Sequence, residues 1–123
     1  MARNLYRDLN IWQKSVELIK QVYSLAESLP KSEEYNLKQQ LKRSVVSVSL
    51  NIAEGKNRRT SKDFVNFLNI AVSSLAETEA ILLICAELGF LSVPGQLFED
   101  IETLSRMINS FISRLRRVDK SEK

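Results

Sequence analysis

Residues 38–62 read KQQLKRSVVSVSLNIAEGKNRRTSK, and the fold follows from how this stretch is divided. Leu41, Val45, Val48 and Ile52 recur at spacings of four, three and four, the period of one buried helix face. Gly55 is expected to stop that helix from the C′ position, where a residue without Cβ enters the left-handed region at little cost. Lys56-Asn57-Arg58-Arg59 follows as a cationic connector, and Thr60 with Asp63 three residues later forms a capping box for a new helix. The stretch therefore predicts two antiparallel helices with positive charge at the end where they meet.

Outward from this turn, the chain reads as helices throughout. Asp8 or Asn10 can cap a first helix over 10–29, with Asn10 and Gln13 resembling a capping box. Trp12, Val16, Ile19, Tyr23 and Ala26 form one stripe, Ile11, Leu18, Val22, Leu25 and Leu29 broaden it, and Pro30 ends the helix. The second helix is predicted over 33–54, with Glu33 and Glu34 in its first turn, where the macrodipole favours acids. Its Ser44, Ser47 and Ser49 suit a solvated or closely packed face better than catalysis, because the chain has no histidine to activate a hydroxyl.

The third helix, 61–88, is the most apolar. Phe64, Phe67, Leu68, Ala71, Leu75, Thr78, Leu82 and Cys85 make one stripe, with Ile70, Ile81, Ile84 and Leu88 beside it. An apolar surface this wide needs more cover than one bundle usually supplies, which predicts self-association through part of this helix. The bland alternative makes it only the most central of the four. Gly89 ends it, and a fourth helix over 94–117 has Pro94 in its first turn and a stripe of Leu97, Ile101, Leu104, Ile108, Phe111 or Ile112, and Leu115. Residues 118–123 are expected to fray.

The bounds agree with this reading. The 123 residues suit one domain, 1–123, and 44% hydrophobic residues with three Gly and two Pro favour long helices over strands. The predicted class is all-α, an up-down-up-down antiparallel four-helix bundle, because short connectors force each helix to reverse. Cys85 is the lone cysteine, so no disulfide framework exists and a reducing cytoplasm is the expected location. MARNLYRDLN lacks the apolar centre of a signal peptide. Glu77, Glu79 and Glu87 interrupt the longest apolar run, which argues against a membrane span.

Net charge is only +3, but the predicted topology separates it along the bundle. One end collects Arg3, Arg7, Lys14, Lys56, Arg58, Arg59, Lys62, Arg114, Arg116, Arg117, Lys120 and Lys123 against five acids, Asp8, Glu54, Asp63, Asp119 and Glu122. The other gathers Glu27, Glu33, Glu34, Glu87, Glu99, Asp100 and Glu102 with few bases. A concentrated basic end beside the start of the third helix can hold phosphates. The candidate nucleic-acid-binding residues are Lys56, Arg58, Arg59, Lys62, Arg114, Arg116 and Arg117. Tyr6 is the one aromatic placed near that end outside the core, so backbone and shape recognition is expected rather than base readout. A solvated charged end that serves solubility and assembly fits the same residues.

Glu77 is expected to pair with Arg43 across the second and third helices as a register-setting ion pair, and Glu54 with Arg58 or Arg59. Without histidine there is no Glu-x-x-His di-iron set, zinc site or histidine base, and no glycine-rich phosphate loop is present. The chain is therefore expected to be no enzyme and to need no metal, cofactor or small-molecule substrate.

Leu9-Asn10-Ile11-Trp12-Gln13-Lys14, Gln40-Leu41-Lys42-Arg43-Ser44 leading to Asn51-Ile52-Ala53-Glu54-Gly55, Arg58 to Phe64, and Phe67-Leu68-Asn69-Ile70-Ala71 with Ser74-Leu75-Ala76-Glu77 resemble the 23S ribosomal RNA intervening-sequence family over about residues 5–117. That family is similar in overall fold to the accessory variability proteins of diversity-generating retroelements. The resemblance implies an antiparallel bundle assembled into a ring, commonly a pentamer, with a basic surface that engages RNA or other nucleic acid, and no established active site. Val48-Ser49-Leu50 stands where the family has an Ile-Pro-Ala-like step, and Ser73 where it usually has glycine. Two functions are therefore expected: a homo-oligomer that binds structured RNA, or a protein-interaction module serving as accessory subunit of a nucleic-acid enzyme such as a reverse transcriptase.

Overall fold

The computed structural model describes residues 5–121, with side chains through Val118. A 3-10 turn at Tyr6–Asp8 leads into α1 (Asn10–Ala26), a second at Lys31–Glu33 precedes α2 (Leu37–Lys56), and α3 (Ser61–Glu87) and α4 (Gly95–Ser121) complete an all-α four-helix chain.

Contacts fix the directions. Ser15 hydrogen-bonds Ser49 while Glu27 meets Lys38 and Lys42, so α1 and α2 run antiparallel. Ser44 lies 2.8 Å from Thr78 and Ser47 2.9 Å from Ser74, which reverses α3 against α2. The rings of Phe64, at the start of α3, and Phe111, late in α4, stand 5.4 Å apart, which reverses α4 against α3. The buried residues form one cluster, with Val22, Leu41, Val45, Val48, Ile52, Leu68, Ala71, Leu82 and Ile108 entirely shielded.

Several helix ends depart from the sequence expectation for local reasons. α1 stops at Ala26, not 29: a proline at position 30 disfavours helical geometry at Leu29 and crowds the carbonyl of Ala26. Ser28 and Leu29 instead bond three residues back, to Leu25 and Ala26. Neither Asp8 nor Asn10 caps α1. Leu9 occupies the N-cap without a side-chain bond, and Gln13 donates to the Arg7 carbonyl at 2.9 Å. α2 begins at Leu37, so Glu33 and Glu34 lie in the preceding turn rather than in its first turn. α4 runs through Ser121 instead of fraying at 118, since no Gly or Pro follows Gly95 to break it; residues 122 and 123 lie outside the described residues.

Gly55 also has a different role from the one expected. It is buried inside α2, which continues to Lys56 and closes on right-handed Asn57. A Cβ at Gly55 would stand 2.7 Å from Phe64 Cδ1 and 2.9 Å from Phe67 Cβ, so glycine here serves close approach to α3. The left-handed C′ glycine is Gly89, with φ 76°. Phe90 N–H bonds the Cys85 carbonyl and Gly89 N–H that of Ala86, the two bonds of a Schellman motif. Thr60 caps α3 as its sequence indicates, accepting from Asp63 N at 3.1 Å.

The Arg43–Glu77 ion pair does not form: both side chains are exposed, and neither enters an ion pair among the described residues. Glu77 is one residue away from Thr78 on α3, and the turn of the helix carries it out of the α2 seam. Hydroxyl pairs mark that seam instead, each hydrogen bond contributing about 0.5–1.5 kcal/mol net. Small side chains at Ser44, Ser47 and Ser74 let the two helices approach while leaving no buried side-chain polar atom without a partner among the described residues.

α3 is long and apolar enough to cross a membrane by length and composition, with 39% of the relevant window buried inside the bundle. Outside the core, Ile70, Leu83 and Ile84 on α3 and Leu88 at its C-cap are about half exposed, and Leu50 on α2 is 63% exposed.

Candidate nucleic-acid interface

The antiparallel arrangement brings the α2–α3 turn, the beginning of α1 and the late part of α4 to one end. Two basic groups meet there. The first comprises Lys56 in the last turn of α2, Arg58 and Arg59 in the connector and Lys62 in the first turn of α3; the second comprises Arg114, Arg116 and Arg117 on α4. All are exposed except Lys56, which is half-buried. The Phe64–Phe111 contact joins the helices that carry them.

Arg58 is held twice. Its guanidinium donates to Glu54 one helical turn earlier, the partner expected from sequence, and lies over the Phe67 ring at 4.6 Å. Arg114 repeats the stacking, 5.3 Å above Phe111, with no ion pair among the described residues. A guanidinium held over a ring face by cation–π attraction loses rotational freedom yet keeps N–H groups available to oxygen acceptors. The connector and the helix turns flanking it thus carry four bases against Glu54 and Asp63, with Glu54 engaged by Arg58.

Aromatic groups are richer here than the sequence reading allowed. Besides Tyr6, whose ring meets Trp12 edge-on at 5.2 Å, half-buried Phe67 and Phe111 both underlie arginines. The i, i+3 spacing of Phe111 and Arg114 is a signal that could have found one of them. Arg3 and Lys123 lie outside the described residues, as does the Lys120 side chain.

Between the first turn of α1 and α4 runs an open groove of about 390 Å³, lined by Asp8, Leu9, Asn10, Ile11, Met107, Ser110, Phe111 and Arg114.

The opposite end differs in detail from the expected acid excess. Glu27 accepts from both Lys38 and Lys42 at 3.2 Å, and Lys38 also reaches Glu34 at 3.1 Å, a clamp between α1 and α2 that sequence spacing did not reveal. Hydrogen bonds from Lys42 and Lys38 hold the Glu27 carboxyl below its ordinary range, while those to Glu34 and Glu27 raise Lys38. Burial, then the charge of Glu33, pushes the Cys85 thiol up, away from nucleophilic use. No cluster of three or more metal-ligating side chains exists among the described residues.

Against known proteins, the sequence matches the family described as 23S rRNA-intervening sequence protein over residues 7–110. A solved structure from Bacteroides thetaiotaomicron, described as a protein with unknown function from the S23 ribosomal protein family, is similar with a TM-score of 0.66 and 28% identity, covering 83% of this chain and 94% of that one. No curated protein matches the sequence.

Proposed function

The chain belongs to the 23S rRNA-intervening sequence protein family, and we propose that it is a non-enzymatic, cytoplasmic, homo-oligomeric bundle that binds structured RNA through phosphates. The observation that carries this reading is the convergence of the connector and α4 cations on one end, where Phe67 and Phe111 preorganise Arg58 and Arg114. Lys56, Arg59, Lys62, Arg116 and Arg117 supply the surrounding charge. Such an interface reads backbone position and duplex shape, and its affinity falls with salt as phosphate counterions are released.

The direct test is the double charge reversal Arg58→Glu with Arg59→Glu, measured against a labelled RNA hairpin. The reading expects RNA affinity to fall at least tenfold while the assembly keeps its mass; unchanged affinity contradicts it.

Self-association is supported by the half-exposed Ile70, Leu83 and Ile84 on α3 and Leu88 at its C-cap. Light scattering is expected to give several times the 14.1 kDa protomer mass, five by the family resemblance, and a monomer at high concentration contradicts it. The same apolar face supports the second reading, an accessory subunit that docks on a nucleic-acid enzyme such as a reverse transcriptase. In that case the isolated chain stays monomeric.

A further inference from the structure

We propose that the groove between the start of α1 and α4 receives one unpaired nucleotide of the bound RNA, with preference for a guanine base. The inference rests on the phosphate-binding reading and adds a base contact to it.

The groove's size, about 390 Å³, falls in the range of small-ligand sites. Its composition narrows the ligand. Half-buried Leu9, Met107 and Phe111 provide apolar and aromatic surface against which a flat ring can lie, with Ile11 buried beneath them. Arg114, stacked on Phe111, supplies a planar cation that can cover a base or hold its phosphate. Asp8 on the same rim is an acceptor-only group when ionised, which disfavours a bare phosphate and favours a ligand with adjacent N–H donors. A guanine Watson–Crick edge offers two such donors side by side, uracil only one. Asn10 and Ser110 can satisfy the remaining edge atoms. A ligand with an aromatic face, a donor edge and an attached anion matches this set, and a nucleotide extruded from a duplex has all three. A fully paired duplex cannot enter, because its bases are already stacked and hydrogen-bonded, so bulges, loops and ends are what the groove selects.

The test compares three hairpins of equal stem sequence: fully paired, with one bulged guanosine, and with one bulged uridine. The proposal expects the guanosine bulge to bind about tenfold tighter than the paired hairpin, with the uridine bulge between them. Ser110→Trp, at an exposed helical position, fills the groove and should abolish the bulge advantage while leaving paired-hairpin affinity within twofold. Asp8→Asn should equalise the two bulges and keep both above the paired hairpin. Equal affinity for all three hairpins overturns the groove proposal and leaves phosphate binding standing. Failure of every hairpin to bind at low salt overturns both. A bulge advantage that survives Ser110→Trp places the base elsewhere and also overturns the proposal.

Discussion

Gly55 and Phe64 touch so closely that a single added carbon on the glycine would lie 2.7 Å from the ring. The contact links the last turn of α2 to the first of α3, and through Phe64 to Phe111 it connects with the helix carrying the second basic group. Phe67, the ring beneath Arg58, would stand 2.9 Å from the same added carbon at its Cβ. The geometry of the charged end therefore depends on the absence of a side chain at position 55.

Gly55→Ala sets two effects against each other. Alanine gains about 0.5–1 kcal/mol of helix propensity, while overpacking against the two phenylalanines costs about 1–3 kcal/mol. The obstructing atoms include the Cβ of Phe67, which cannot swing aside without its backbone. The expected net is a destabilisation of about 1 kcal/mol in urea unfolding, and a more stable variant would show that the α2–α3 seam is looser than described.

The hydroxyl pair Ser44–Thr78 is predicted to set register between α2 and α3. With one hydrogen each, the two hydroxyls share two donors among three contacts: the one between them, that of Ser44 with the Leu41 carbonyl and that of Thr78 with the Ser74 carbonyl. After either single loss the remaining hydroxyl donates to its carbonyl and leaves no buried orphan. Ser44→Ala and Thr78→Val are each expected to cost about 0.5–1.5 kcal/mol. In a double-mutant cycle the two should couple by at least about 0.5 kcal/mol, and strict additivity would show that the contact contributes nothing of its own.

The Glu27 clamp predicts a pH dependence with a definite sign. Glu27 is depressed below its ordinary 4.5, so its contribution is complete above that pH and disappears as pH falls through the lower folded value. Lys38 is raised above 10.5, so its contribution is complete below that pH and is lost as pH rises through the higher folded value. The stability difference between the protein and Glu27→Gln should thus be flat from pH 4.5 to 10.5 and shrink on acidification. Its exposed position makes the difference small and salt-sensitive. A difference that grows toward low pH contradicts the clamp.

The helices and the charged end were legible in the sequence because both follow from periodicity and short connectors. Leu41, Val45, Val48 and Ile52 announce one face of α2, and all four are fully buried. Thr60 and Gly89 announced their caps by local chemistry that tertiary contacts did not override. Gly55 misled for a physical reason: a glycine near a helix end serves either left-handed geometry or close approach, and only the position of Phe64 decides between them. Arg43–Glu77 failed because antiparallel pairing sets which turns are level but not which way a side chain points. The same limit hid the arginine–phenylalanine stacks, since Phe67 and Phe111 read as core residues until their outer faces were placed.

Salt dependence of affinity for a structured RNA, measured beside a DNA duplex of similar length, decides whether the basic end binds phosphates. Phosphate recognition by the two basic groups predicts a linear fall of log affinity with log salt, with a slope that implies about four or more phosphate contacts. RNA should be preferred over DNA, and the slope should become shallower by about two contacts in the Arg58→Glu, Arg59→Glu variant. Affinity that ignores salt, or no binding at low salt, would contradict the account and leave the basic end with a role in solubility or assembly alone.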